Sequence, residues 1–276
     1  MRPNQTFLKQ PKSFWAAVRL ISQDRYTLSG EILVPNPKQM AAALEKSGLD
    51  PTIVMRSEAL GARQGELLEK YFSYRAKVLH ELVKPALMNV AEAKREFEML
   101  KKRFRPKCPI PSNKQRGEKK APAYFTGIIN ILLEANLGLG ACDFDPRKLT
   151  SFTLDEKPVR TLSRRVDGAF PSVLNPVAIW EIKEYYYTTT FGSRVADGVY
   201  ESLLDGMELE ELREHEGIDC LHYLMIDAYK TWWEDGKSYL CRIVDMLHMG
   251  YVDEVLFGRE AIERIPSLAR EWLSRA

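Results

Sequence analysis

The chain of 276 residues carries 40 Lys or Arg against 38 Asp or Glu, and its 45% hydrophobic and 28% charged content is an ordinary globular balance with enough apolar mass for a sizeable core. A formal net charge of +2 does not demand a polyanionic partner, although an even total can hide uneven segments. No apolar run approaches the roughly 18 residues that span a bilayer, and the opening MRPNQTFLKQPKS lacks the apolar centre of a signal peptide, so a cytoplasmic protein with no membrane partner is expected.

Residues 1–60 suggest a DNA-recognition unit. KSFWAAVRLISQ sets Phe14, Trp15, Val18 and Ile21 at helical spacing, and YTLSGEILVPN predicts a short hairpin around Gly30. PKQMAAALEKSGLDPTIVMRSEAL predicts two helices about a turn at Gly48, the second started by Asp50, which caps free amides, and Pro51, which fits a first helical turn. That is the outline of a helix-turn-helix with a wing-like hairpin; a pair of packed helices with no DNA role is the other reading.

Residues 61–120 are expected to form a helical linker and a basic loop. One long or two successive helices are expected over 62–104, with Pro85 as a kink or boundary. Between 94 and 120 there are 11 Lys or Arg against 3 Glu, a local net of +8, and prolines 106, 109 and 111 with Gly117 make the second half a loop. Lys114, Arg116, Lys119 and Lys120 are candidate phosphate contacts, and Asn113 and Gln115 candidate base readers. The opposite sign gathers at 201–219, where eight Asp or Glu accompany only Arg213; this stretch is expected to be an outward helix face. Cys108, Cys142, Cys220 and Cys241 are far apart and the four histidines form no pair at ligand spacing, so free thiols and no structural zinc are expected.

Residues 121–276 change character. PAYFTGIINILLEANL predicts a helix with Thr126, Asn130 and Glu134 on one polar line. KLTSFTLD and VRTLSRRVDGAF read as strands joined by DEKP, and PVAIWEIKEYYY as a third, buried strand. A helix over about 193–214 and a buried strand, CLHYLMIDAY, follow. The fold class expected is mixed α/β, a central mixed sheet flanked by helices, with a mainly helical N-terminal part and a C-terminal helical extension.

Strand alternation places Val177, Ile179, Glu181, Lys183, Tyr185 and Tyr187 on one face, with Glu181 and Lys183 about 6 to 7 Å apart. If Asp167 lies at the end of the adjacent strand and faces the same way, two carboxylates converge with an ammonium beside them. Buried acids are costly unless paired or bound to metal. Mg²⁺ held by Asp167, Glu181 and the backbone carbonyl of Ile182 removes that cost, while Lys183 orients or helps deprotonate an attacking water, which points to phosphodiester hydrolysis. No GxxxxGK[ST] is present, so no nucleotide cofactor is expected.

VDG and EIK, with thirteen residues between Asp167 and Glu181, within a helix-strand-strand-strand-helix-strand order, resemble the PD-(D/E)XK nuclease superfamily over about residues 120–230. The resemblance implies a restriction-endonuclease-like core in which Asp167 is the metal-binding acid, Glu181 the second acid and Lys183 the lysine. It also implies Glu134 as a further metal carboxylate from the preceding helix and Arg194 as a contact to the phosphate. Val166 stands where the name motif has Pro. Within the superfamily the chain is most like a Type II restriction endonuclease, which implies Mg²⁺, double-stranded DNA and a homodimer. The alternatives are a structure-specific or nonspecific nuclease of repair or phage defence, and a non-catalytic DNA-binding regulator.

Overall fold

The computed structural model describes residues 1–55, 60–113, 121–187 and 192–276, so Lys114, Gln115, Arg116, Lys119 and Lys120 lie outside the described residues. The N-terminal part begins with helices α1 (Gln5–Leu8) and α2 (Lys12–Ser22), a hairpin of β1 (Thr27–Leu28) and β2 (Glu31–Ile32), and helices α3 (Pro37–Lys46) and α4 (Thr52–Met55). Phe14, Trp15, Val18 and Ile21 of α2 are buried with Met40 and Leu44 of α3, the amphipathic stripe meeting its partner. A capping box starts α3: Asn36 accepts from the Gln39 amide, and Gln39 accepts in return. Asp50 caps the next helix by accepting from Thr52 N at 2.9 Å. The hairpin is docked, since Ile32 is buried in the core beside the sheet and Lys237 Nζ donates to Gly30 O at the tip.

Helix α5 (Leu60–Val78) runs through a π-helical turn at Leu79–Val83 into α6 (Lys84–Ala86), where Pro85 stands. Helix α7 (Val90–Phe104), opened by a second capping box of Asn89 and Glu92, packs on α8 (Tyr124–Leu137). The approach is close: a Cβ at Gly127 would lie 2.5 Å from the Phe97 ring.

Strand β3 (Asp143–Phe144) is followed by a separate hairpin, β4 (Ser151–Leu154) and β5 (Lys157–Thr161), and then by β6 (Gly168–Phe170) and β7 (Ala178–Glu184). Helix α9 (Ser193–Glu216), β8 (Leu221–Asp227), α10 (Lys237–His248), β9 (Glu254–Phe257) and α11 (Arg259–Leu273) complete the chain. The central five-stranded sheet has the order β3-β6-β7-β8-β9. Its β3–β6 and β6–β7 pairs are antiparallel, and β7–β8 and β8–β9 are parallel. The fold is mixed α/β.

Helices cover both faces, which is why β7 and β8 are apolar almost throughout. On one face α7, α8 and α11 enclose Trp180, Tyr223, Met225 and Leu256. On the other, α10 and the end of α5 meet Leu224 and Ile226, while Leu209 and Leu212 of α9 cover Ala169 and Ile179. Two expected strands were assembled differently. KLTSFTLD and the start of VRTLSRRVDGAF pair with each other as β4 and β5, outside the central sheet, and the second stretch breaks before resuming as β6. The break follows from side chains that compete with a ladder: Ser163 gives its N–H and hydroxyl to Glu208 of α9. Among the described residues no helix is long and apolar enough to cross a membrane.

Candidate active site

Asp167 is the last residue before β6, and its amide donates to Trp180 O of β7 at 3.1 Å. The same amide donates to Glu181 Oε1 at 3.2 Å, and the Ile182 amide donates to Asp167 Oδ2 at 2.7 Å. The Glu181 carboxylate is thus held by the Asp167 backbone, and the Asp167 carboxylate by the backbone of Ile182, the residue after Glu181, across the β6–β7 pair. Gly168 permits the approach, because a Cβ there would stand 2.1 Å from the Trp180 indole. Lys183 lies on the same face of β7 as Glu181 and donates to Glu181 Oε2 at 2.8 Å. The structure therefore brings Asp167, Glu181 and Lys183 together.

Three further side chains join them that strand periodicity did not reveal. Arg164, in the break before β6, donates through Nη2 to Glu181 Oε2 at 3.0 Å and Glu201 Oε2 at 3.3 Å, and through Nη1 to Asp205 Oδ2 at 2.6 Å. Lys183 Nζ also reaches Glu201 Oε2, at 2.7 Å. Glu201 and Asp205 are one helical turn apart on α9. The acidic stretch 201–219 is therefore not simply an outward face: Asp205 is fully buried, Glu201 closes on the site and Glu208 holds Ser163. The i, i+4 spacing of Glu201 and Asp205 was the signal that could have placed them on one side of the helix.

Burial and charge set the protonation states. Burial, reinforced by the charge of Glu181, raises Asp167 to about 7, against Lys183 and the Ile182 amide. Burial also pushes Glu181 up, but the cations of Lys183 and Arg164 overcome it and hold this carboxyl below its ordinary value. Burial pulls Lys183 down, and the charges of Glu181 and Asp167 more than reverse it, so the amine is held protonated. Asp205 is raised to about 7 by burial and by Glu181.

Four acids (Asp167, Glu181, Glu201, Asp205) against two bases (Lys183, Arg164) leave a charge of −2 when all are ionised. The excess and the hard oxygen donors suit a divalent cation. Ile182 contributes its amide to Asp167, and in a strand its carbonyl points to that same edge. Among the described residues no three His, Cys, Asp or Glu side chains are grouped so as to hold a metal.

The remaining sequence candidates lie apart from this cluster. Glu134, near the end of α8, accepts from the amides of Lys107 and Cys108 at 2.9 Å each and so pins the loop after α7. Burial pushes Glu134 up and those amides, with the Cys108 thiol, pull it below its ordinary value. Arg194 is exposed in the first turn of α9, and its carbonyl accepts from Tyr185 Oη at 3.1 Å. Asn113 donates its amide to Ala121 O at 2.9 Å, just before α8. The first turn of α8 rests on Glu184 at the end of β7, where Thr126 N donates to it at 2.9 Å.

A family model described as a domain of unknown function, DUF7687, matches residues 88–272. The chain belongs to the DUF7687 family. That segment holds α7 through most of α11, all five strands of the central sheet and every member of the cluster from Arg164 to Asp205. A second model, the domain of unknown function DUF7690, matches residues 1–82, which end in the π-helical turn after α5. No curated protein and no solved structure matches the chain.

Proposed function

We propose that the DUF7687 segment is a PD-(D/E)XK nuclease core with a restriction-endonuclease-like arrangement, and that the protein is a Mg²⁺-dependent, sequence-specific endonuclease of double-stranded DNA. The observation that carries the reading is the cross-strand bonding of Asp167, whose amide donates to Glu181 and whose carboxylate accepts from Ile182 N, with Lys183 on Glu181. The order α8, β3, β6, β7, α9, β8 supports it, with the β4–β5 hairpin inserted between the first two of these strands.

Asp167, Glu181 and the Ile182 carbonyl would hold the cation. When bound, it would polarise a phosphate oxygen and lower the pKa of a coordinated water. Lys183, kept protonated by its acidic neighbours, is unsuited to take a proton from water; it orients the water and offsets charge developing on the phosphate. The exposed Arg194 and the basic segment from Lys101 onward supply sequence-independent attraction to the backbone. A homodimer would present one such centre to each strand of a palindromic site.

The test is cleavage of a long duplex DNA with Mg²⁺ by Asp167→Ala, Glu181→Ala and Lys183→Ala, with circular dichroism as the check on folding. Each variant is expected to lose cleavage by about 100-fold or more. Cleavage retained in any two of them rejects the assignment. Discrete fragments mark a sequence-specific enzyme and a smear a nonspecific one; tight binding with no scission under any divalent metal marks a non-catalytic DNA-binding regulator.

A further inference from the structure

We infer that Glu201 is an electrostatic latch over this site, holding Lys183 and Arg164 neutralised until a phosphodiester backbone takes its place. The inference rests on the nuclease reading and deepens it to the control of the same residues. Its basis is a closed ring of charges. Lys183 Nζ bridges Glu181 Oε2 at 2.8 Å and Glu201 Oε2 at 2.7 Å, and Arg164 Nη2 bridges the same two oxygens at 3.0 and 3.3 Å.

The two acids of the ring differ in what release would cost. The Glu181 side chain is 0% exposed in a central strand, so giving up its cations would strand a buried charge. The Glu201 side chain is 41% exposed on α9 and can turn into water, exchanging its partners for hydration at small cost. Opening the ring at Glu201 would leave both cations in place. Lys183 would remain on Glu181, and Arg164 would stay anchored through Nη1 to the fully buried Asp205 at 2.6 Å. Each would then present N–H donors toward the vacated side, Arg as a planar fork and Lys as a point charge, the pairing that suits phosphate oxygens. An incoming polyanion would displace one half-solvated carboxylate and gain two pre-positioned cations beside Asp167.

The test is binding of a short fluorescent duplex DNA by anisotropy in EDTA, so that neither metal nor cleavage contributes. Wild type is compared with Glu201→Gln and Glu201→Asp, each also in a Lys183→Met background. The latch predicts about five-fold tighter binding for Glu201→Gln, a smaller gain for Glu201→Asp, and a steeper dependence on salt as more phosphates are paired. The gain should shrink markedly in the Lys183→Met background, where one of the two latched cations is missing. Binding no tighter than wild type in either Glu201 variant overturns the latch. So does a Glu201→Gln gain that is absent in EDTA and appears only when the titration is repeated with Ca²⁺ in place of EDTA, which would make Glu201 a metal carboxylate instead. The nuclease reading fails separately: if the wild type cuts no DNA under any divalent metal while Glu201→Gln still binds more tightly, the latch stands as a property of a binding protein. If Asp167→Ala abolishes cleavage and Glu201→Gln gains nothing, the nuclease stands without a latch.

Discussion

At Gly168 a methyl group would lie 2.1 Å from the Trp180 indole, which is fully buried and stacked on Trp272 at 5.5 Å between centroids. Neither ring can retreat, so Gly168→Ala must move β6 away from β7, at a cost of roughly 1–3 kcal/mol. The amide of the preceding Asp167 bonds to Trp180 O and to Glu181, so the same shift pulls the two acids apart. Thermal denaturation should show the lost stability, and the cleavage rate should fall further than an equally destabilising substitution in the N-terminal core, such as Leu44→Ala, would cause. The sequence made the pairing of Glu181 and Lys183 legible because a two-residue period needs no tertiary knowledge, whereas Asp167 was joined to them through the resemblance of VDG and EIK to a known motif. Why the residue after Asp167 is Gly was not legible, since it depends on the register that sets Gly168 opposite Trp180. Arg164 was hidden for a similar reason. Arg164 and Arg165 are neighbours of identical chemistry, yet Arg165 is exposed and Arg164 sits on three carboxylates, a choice made by where α9 lies.

The parallel strands β7 and β8 end together, with Glu184 in register with Asp227, and the second acid is fully buried. Asp227 accepts from Met88 N at 2.7 Å, from Ala228 N at 2.9 Å and from the Tyr186 hydroxyl. Burial nevertheless raises it from 3.8 to about 7, with the charge of Glu184 adding to the rise, because these donors are two amides and a hydroxyl rather than a cation. The folded state therefore binds this proton more readily than the unfolded chain. The cost of ionising Asp227 is absent below 3.8, grows through the window up to about 7 and is full above it, so it lowers stability as pH rises. Asp227→Asn keeps an acceptor for the two amides and removes the titration. Its melting temperature relative to wild type should improve between about pH 5 and about pH 8, as melts across that range would record; a constant difference would mean the acid is not what titrates. At this scale the order helix-strands-helix-strand could be read from apolar runs and turn signals, but not which strands share a sheet. The DEKP turn correctly joins β4 to β5, yet one edge of the central sheet is β3, two residues long and too short to show any period.

The segments matched by the two family models are fastened by a buried ion pair. Arg75 of α5 is 1% exposed and gives Nη1 to both carboxylate oxygens of Asp245 on α10 at 3.1 Å, and Tyr71 adds its hydroxyl to the same acid at 2.5 Å. The guanidinium also lies 5.1 Å from the Tyr26 ring centroid and 4.9 Å from that of Phe72. Around this pair the packing is apolar, with Val78, Leu79 and Val83 sharing a core with Leu224, Ile226 and Trp232. Desolvating two charges offsets most of their attraction, so the pair adds little net stability but penalises any other seating of α5 on α10. Removing one partner is different, because it strands the other charge in that core. Asp245→Ala should therefore cost about 3–5 kcal/mol, while Arg75→Met with Asp245→Leu should cost markedly less, because no charge is left buried. Chemical denaturation of the three proteins decides it. If the double variant is as unstable as Asp245→Ala, the pair is a true stabiliser; if it is nearer wild type, the pair acts to fix how the N-terminal helices sit against the sheet that carries Asp167, Glu181 and Lys183.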